Sequence, residues 1–257
     1  MEQRTGALEG EDMRITEEVI DIDYKETRRF FERRADKFSD DNPYSVTMYQ
    51  DRHTELVRER NRKEMEKLIP MLNLNADSRV LDVACGIGRW ADAMPDCIKE
   101  YCGLDFSREL VEIARKRNKK DNFSFWEGAA NEVEQIAKKT GGGVYDKILM
   151  VGILMYLNDR DLADTLEQIE KISQEHTVIC IREPIGILKR LTLKDFFSEE
   201  LEDNYNAIYR TRQELRQFIS NAFLQKGFAV SRKGFLFDED ALNNRKETAQ
   251  YFYILER

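Results

Sequence analysis

Histidine is nearly missing from this chain: His53 and His176 are the only two in 257 residues. A catalytic imidazole or a histidine-rich metal centre therefore has few places to be. The four cysteines, Cys85, Cys97, Cys102 and Cys180, stand at no metal-ligand spacing and make no small-scaffold disulfide framework, which points to reduced, buried thiols. No apolar run reaches the length of a bilayer span; the longest, residues 148–157, suits a buried strand. Residues 1–23 are acidic and lack the apolar segment of a signal peptide, so they read as a mobile or lightly docked arm. Positive charge is in deficit as well. The formal net charge of −8 argues against general binding to nucleic acid or an anionic membrane, although a local basic patch stays open. The expectation is a cytoplasmic protein without membrane insertion or bound metal, built as one domain or one domain with a lid.

What is present centres on residues 78–91, Ser-Arg-Val-Leu-Asp-Val-Ala-Cys-Gly-Ile-Gly-Arg-Trp-Ala. Val80, Leu81, Val83 and Ala84 form a short apolar run fit for a strand buried on both faces. Gly86 and Gly88 then make a turn where backbone comes close to a ligand, glycine having no Cβ in the way. Residues 89–94 predict the start of a helix, and Pro95 limits it. Strand, glycine turn and helix N-terminus together aim free N–H groups at an anion.

Gly86-x-Gly88-x-x-Ala91 also fits a dinucleotide fingerprint, so the spacing alone leaves two cofactors open. Asp82 separates them. A carboxylate on that strand repels a pyrophosphate but suits a cofactor with both an ammonium for Asp82 and a carboxylate for the turn. S-adenosylmethionine (SAM) is such a molecule. Here the sequence resembles the class I SAM-dependent methyltransferases, whose first motif is similar to residues 82–88, with Ala84 where that motif usually has its first glycine. The resemblance places Asp82, Ala84, Cys85, Gly86, Gly88, Arg89 and Trp90 against the cofactor, whose product after transfer is S-adenosylhomocysteine.

Residues 27–38 predict a helix anchored by Phe30, Phe31, Ala35 and Phe38. Residues 54–72 predict another, with Leu56, Val57, Met65, Leu68 and Ile69 inside and Arg58, Arg60, Arg62 and Lys63 on its solvated side. After the motif, strands are expected at residues 100–106, 123–127, 146–152 and 177–181, with helices opening at Ser107, Asn131 and Asn158. That alternation predicts a Rossmann-like α/β fold with a parallel sheet covered on both faces. Residues 185–210 interrupt it; an amphipathic helix then starts at Thr211, and strands at 228–236 and 249–255 close the chain. The resemblance implies a seven-stranded, mostly parallel sheet whose closing pair contributes an antiparallel strand. It also implies a helical N-terminal lid, an arm and lid over residues 1–75, and a methyltransferase domain over 76–257 with a substrate lid at about 185–211.

Ligands of such sheets bind beyond the carboxyl ends of the strands. Asp105 lies about 20 residues past the glycine turn, where an acid accepts from ribose hydroxyls; a plain helix cap is the alternative. Phe106 either lies along the adenine or packs in the core. Family members often carry an acid after the third strand for the adenine amino group. Ala129 stands there instead, which leaves backbone groups of Ala129 and Ala130. Val151 and Gly152 end the fourth strand, beside the expected sulfonium.

Methyl transfer rests mainly on alignment. A hydroxyl acceptor also needs a base, for which His53 and Glu183 are the candidates, and Tyr156 is the catalytic candidate that would hydrogen-bond the substrate. A surface histidine, a structural Arg182–Glu183 pair at a strand end, and core packing are their respective alternatives. Tyr49, Arg182, Tyr205, Tyr209 and Arg210 are the candidate contacts for the acceptor, and arginines there would suit an anionic small molecule. The lid, the Arg182-Glu183-Pro184 turn and Tyr209-Arg210-Thr211 loosely resemble enzymes of sugar and surface-polysaccharide biosynthesis. That implies O-methylation of a sugar, sugar phosphate or capsule precursor, with N-methylation of an amino sugar or small amine as the alternative. Outside enzymes, the reading is a silent SAM-binding regulatory subunit with its acceptor side plugged by Tyr209 or Phe197. No Asp/Asn-Pro-Pro-aromatic run of the nucleic-acid amino-methyltransferases follows the fourth strand.

Overall fold

The N-terminal portion supplies a two-residue strand, β1 (Arg14–Ile15), and three helices, α1 (Tyr24–Asp36), α2 (Ser45–Met48) and α3 (Thr54–Leu68). The structure is a computed structural model and describes residues 14–15, 19–49, 52–140, 143–239, 242–243 and 245–257. Asp23 caps α1, its side chain accepting from Lys25 N at 2.7 Å, and Phe30, Phe31 and Ala35 form the buried face. Asn158 opens a helix as expected, standing just ahead of Asp159–Lys171, while its side chain holds the backbone of Ile22. Its Oδ1 accepts from Ile22 N at 2.9 Å and its Nδ2 donates to Ile22 O at 3.2 Å. The expected arm is therefore docked at its Ile22 end; residues 1–13 and 16–18 lie outside the described residues.

In α3 the inward stripe is Val57, Arg60, Glu64 and Leu68. Their spacing of three and four puts all four on one face, so Arg60 is buried rather than solvated.

The motif then opens the main sheet with β2 (Arg79–Val83), followed by β3 (Glu100–Asp105), α4 (Arg108–Arg117), β4 (Phe123–Glu127), α5 (Val133–Lys139), β5 (Tyr145–Val151), α6 (Asp159–Lys171) and β6 (Ser173–Gly186). A hairpin of β7 (Leu191–Ser198) and β8 (Asp203–Tyr209) precedes α7 (Arg212–Ala222), β9 (Ala229–Phe235) and β10 (Thr248–Glu256). The seven-stranded sheet has the order β4-β3-β2-β5-β6-β10-β9, and β10 runs antiparallel to both its neighbours. This is the expected Rossmann-like, mostly parallel sheet. Alternation along the strands feeds two apolar layers. Leu81, Ile148 and Ile179 face the layer that holds α1, α6 and α7, whereas Val80, Leu149 and Cys180 face the one that holds Leu68 of α3 and Val111 of α4.

Three local expectations are corrected. The glycine turn is followed by one 3-10 turn, Ala91–Ala93, because Pro95 closes off anything longer. Arg182, Glu183 and Pro184 do not form a turn. They lie inside β6, which pairing with Phe252, Tyr251 and Gln250 of β10 extends to Gly186. The insertion is a β-hairpin rather than an irregular lid, and it makes a second sheet, β1-β7-β8, with Arg14 opposite Leu193 and Ile15 opposite Thr192. Of the thiols, Cys85, Cys102 and Cys180 are buried and free, while Cys97 is exposed.

Candidate functional site

The turn after β2 needs left-handed backbone at Ala84 (φ +64°), Gly86 (φ +54°) and Gly88 (φ +75°). The two glycines adopt it freely, whereas alanine carries a cost of about 1 kcal/mol. A Cβ on Gly86 would stand 2.7 Å from Thr47 Cγ2, so α2 sits directly on the turn. Asp105 ties that turn to the end of β3: Gly86 N donates to its Oδ2 at 2.9 Å and Ser107 N to its Oδ1 at 2.9 Å. Asp82, buried in β2, accepts from Tyr101 Oη at 2.5 Å. Burial pushes the Asp82 carboxyl up to about 7 and the Asp105 carboxyl up to about 6. Cys85, Arg89 and Trp90 line the same cleft, together with Val151 and Gly152. Phe106 lines it too, with the Arg28 guanidinium 5.0 Å from its ring centre and Phe31 edge-on at 5.6 Å. Ala129 and Ala130 are not brought there. The Ala129 N–H donates to Glu132 Oε2 at 3.0 Å, its carbonyl accepts from Glu132 N at 2.9 Å, and Ala130 packs into the core.

Strand alternation separates Arg182 from Glu183. Arg182 turns toward α3, where its Nε and Nη2 reach Glu64 Oε1 at 3.0 and 2.9 Å; Arg89 Nη2 reaches the same oxygen at 3.0 Å. Two guanidiniums hold the fully buried Glu64 carboxyl below the usual range despite its burial. Arg182 also donates to Gln250 Oε1 at 3.2 Å, so it lines the cleft as part of a braced floor.

Glu183 turns to the other face. Its Oε1 accepts from Ile153 N at 2.8 Å and Leu154 N at 2.9 Å, capping the 3-10 turn Leu154–Tyr156 beyond β5. Burial pushes this carboxyl up to about 7. It holds backbone and does not face an acceptor. His53 is exposed ahead of α3 and is not among the cleft residues.

Tyr156 and Tyr49 line the cleft with their hydroxyls bonded to one another, and burial keeps the Tyr156 hydroxyl protonated far above neutrality. Tyr209 lines it as well, while Tyr205 stands behind, 3.4 Å from Tyr209 Oη and bonded to Arg245 Nη2 at 2.5 Å. Arg210 is a clamp, not an acceptor contact: it donates to Leu154 O at 2.7 Å and Leu157 O at 2.6 Å and pairs with Asp159. Phe197 is 58 % exposed on its hairpin and plugs nothing.

Sequence reasoning missed Thr47 and Arg60. Thr47 Oγ1, Arg60 Nε and Nη1, and Trp90 Nε1 are buried, line this cleft, and have no hydrogen-bond partner. Buried donors without partners are rare in folded proteins, and a ligand with acceptor oxygens satisfies them. For Arg60 a signal existed, since it stands on the same helical stripe as Val57 and Leu68. No cluster of metal-ligating side chains occurs among the described residues.

The raised carboxyls have a checkable consequence. Between the ordinary carboxyl range and pH of about 6–7, folded Asp82, Asp105 and Glu183 bind protons that the unfolded chain has already lost, so their ionisation lowers stability as pH rises. Urea midpoints of the ligand-free protein are expected to fall from about pH 5.5 to about pH 7.5. If Asp82 takes the ammonium of SAM, as expected from the sequence, it does so ionised, and calorimetry should show affinity for SAM rising over the same interval.

Residues 80–175 match the methyltransferase domain family. Over that span the chain is similar to a methyltransferase domain. Over 94 residues it is 32% identical to a 23S rRNA (uracil(1939)-C(5))-methyltransferase of Aliivibrio salmonicida, a match covering 35% of this chain and 21% of that protein. The chain thus spans about a fifth of the length of that relative. Among solved structures, Haemonchus contortus phosphoethanolamine N-methyltransferase 1, in complex with phosphoethanolamine and S-adenosylhomocysteine, superposes with a TM-score of 0.66 at 18% identity, covering 91% of this chain and 50% of that one. The magnesium protoporphyrin IX methyltransferase of Synechocystis with bound SAM gives 0.57 at 13% identity, covering 89% and 97%. At these identities the likeness is one of fold, and the methyltransferase fold extends well past the matched domain. No helix of the described residues is long and apolar enough to cross a membrane.

Proposed function

We propose that the chain is a SAM-dependent methyltransferase of a small molecule, and that the accepting atom is an amine nitrogen rather than a sugar hydroxyl. The carrying observation is the cleft beyond the carboxyl ends of β2, β5 and β6, which is lined by Asp82 and Asp105 and by Tyr49, Tyr156 and Tyr209. Bound SAM supplies an electrophilic methyl group. Asp82 receives the ammonium of its tail, Asp105 the ribose hydroxyls, and Phe106 the adenine. Phe31, Thr47, Tyr49 and Arg60, from the N-terminal elements, close the cleft from above. Such a concave, side-chain-roofed site takes a small ligand and limits access to a polymer. The cofactors of the two solved neighbours support SAM as the cofactor here. The buried free thiols suit a reducing, cytoplasmic setting.

The choice of nitrogen follows from where the candidate bases lie. His53 is outside the cleft, Glu183 caps a turn, and the Tyr156 hydroxyl keeps its proton. Groups at hand therefore orient an acceptor and exclude water, which is sufficient for an amine that reaches the cleft uncharged. Incubation with labelled SAM and fractionated extract, then mass analysis, is expected to give a methylated amine of low molecular mass. The pH–rate profile should rise to a plateau set by that amine's own ionisation. Label recovered in RNA, or calorimetric heat with NADH and none with SAM or S-adenosylhomocysteine, would overturn the reading.

A further inference from the structure

We propose that Arg60 is the seat for an anionic group, a carboxylate or a phosphate monoester, carried by the methyl acceptor. This rests on the cleft being that of a methyltransferase. Arg60 is 3 % exposed, lines the cleft, and leaves Nε and Nη1 without a partner. The other arginines of the cleft are spoken for: Arg89 and Arg182 share the Glu64 carboxylate, and Arg89 also bonds Asn61 Oδ1 at 2.8 Å. Asp82 lies close enough to Arg89 to feel its charge. Glu64, Asp82 and Asp105 are the carboxylates of the cleft. Glu64 is taken by Arg89 and Arg182, Asp82 by Tyr101, and Asp105 by the Gly86 and Ser107 amides, so among the described residues none of the three bonds Arg60. The exposed Glu200 acts on it only through space.

A buried guanidinium presents a planar fork matched to two oxygens of a carboxylate or phosphate. One helical turn along α3 from Arg60 is Glu64, which grips both Arg89 of the glycine turn and Arg182 of β6, and β6 lies two strands from β2 and three from Asp105 of β3. The strand paired with Arg182 is β10, whose Thr248 and Gln250 line the same lobe of the cleft. A ligand here lies on the acceptor side of the strand ends. Its anion on Arg60 would fix where its nucleophilic atom stands relative to the methyl group.

The test compares the wild type with Arg60→Met and Arg60→Lys. Isothermal calorimetry with S-adenosylhomocysteine is expected to give affinities within about threefold for all three proteins. With S-adenosylhomocysteine saturating, titration of inorganic phosphate and of acetate should show saturable binding to the wild type, weakened at least about tenfold in Arg60→Met and less in Arg60→Lys. Ligand-free Arg60→Met should also melt at the same or higher temperature than the wild type, because an unpaired buried charge is removed. A large loss of S-adenosylhomocysteine affinity in Arg60→Met would assign the guanidinium to the cofactor's own carboxylate and overturn the proposal. Phosphate and acetate effects equal in wild type and Arg60→Met, or absent from both, would overturn it too, as would a clear drop in melting temperature. If the wild type binds no S-adenosylhomocysteine, the methyltransferase reading is what fails, and anion binding to the ligand-free proteins then decides separately whether Arg60 is an anion seat.

Discussion

Glu64→Ala is expected to destabilise the protein by about 3–5 kcal/mol, because removing one partner of a buried ion pair leaves its opposite charges uncompensated. Two guanidiniums lose their counter-charge at once, those of Arg89 and Arg182, and both are buried. The connection spans the molecule: Glu64 comes from α3, Arg89 from the glycine turn, and Arg182 from β6. Thermal unfolding of the ligand-free protein should move down by roughly 10 °C or more for a chain of this length. Glu64→Gln, which keeps oxygen and shape but not charge, should lose less. A midpoint within a degree or two of the wild type would mean that water or a side-chain shift compensates the arginines, and the braced floor of the cleft would have to be abandoned. Exposed pairs such as Arg62–Glu66 are a useful contrast, since their removal should be close to silent.

Asp105→Ala should reduce affinity for SAM by about 10²-fold or more, the cost of two charge-assisted hydrogen bonds to ribose. The same change strips Gly86 N and Ser107 N of their acceptor, so the glycine turn loses its anchor to β3. Part of the affinity loss will therefore come from a turn that no longer holds its left-handed residues in place. Calorimetry with S-adenosylhomocysteine, read beside the urea midpoint, separates the two contributions. Asp105→Asn, which can still accept from one of the two amides, should fall between. An affinity unchanged in Asp105→Ala would remove the ribose assignment.

The part of the cleft around the glycine turn was legible because its signals are local. A glycine turn declares left-handed backbone wherever it stands, and Asp82 and Asp105 sit at fixed offsets from it on strands whose apolar runs are unambiguous. The adenine side was less so: Ala129 looked free to offer its backbone, but Glu132, three residues on, folds back onto its N–H. The part of the cleft lined by Tyr49, Tyr156 and Tyr209 was mostly illegible. Arg210 looked like a substrate contact by position, yet it clamps two carbonyls at the end of the 3-10 turn after β5. Tyr205 stands one layer behind the cleft for a similar reason, its hydroxyl engaged by Arg245 across the β9–β10 connection.

By itself the amino-acid sequence determined the strand–helix alternation, the mostly parallel sheet, and the left-handed turn after β2, since each depends on the period and identity of neighbouring residues. Tertiary structure alone decided which side of each segment found a partner. Pairing with β10 carried β6 through Arg182 and Glu183 and sent the two side chains to opposite faces; docking of α3 turned Arg60 and Glu64 inward. Periodicity tells which residues share a face, but not what lies opposite that face, and burial of a charge is settled by the groups brought against it from elsewhere in the chain.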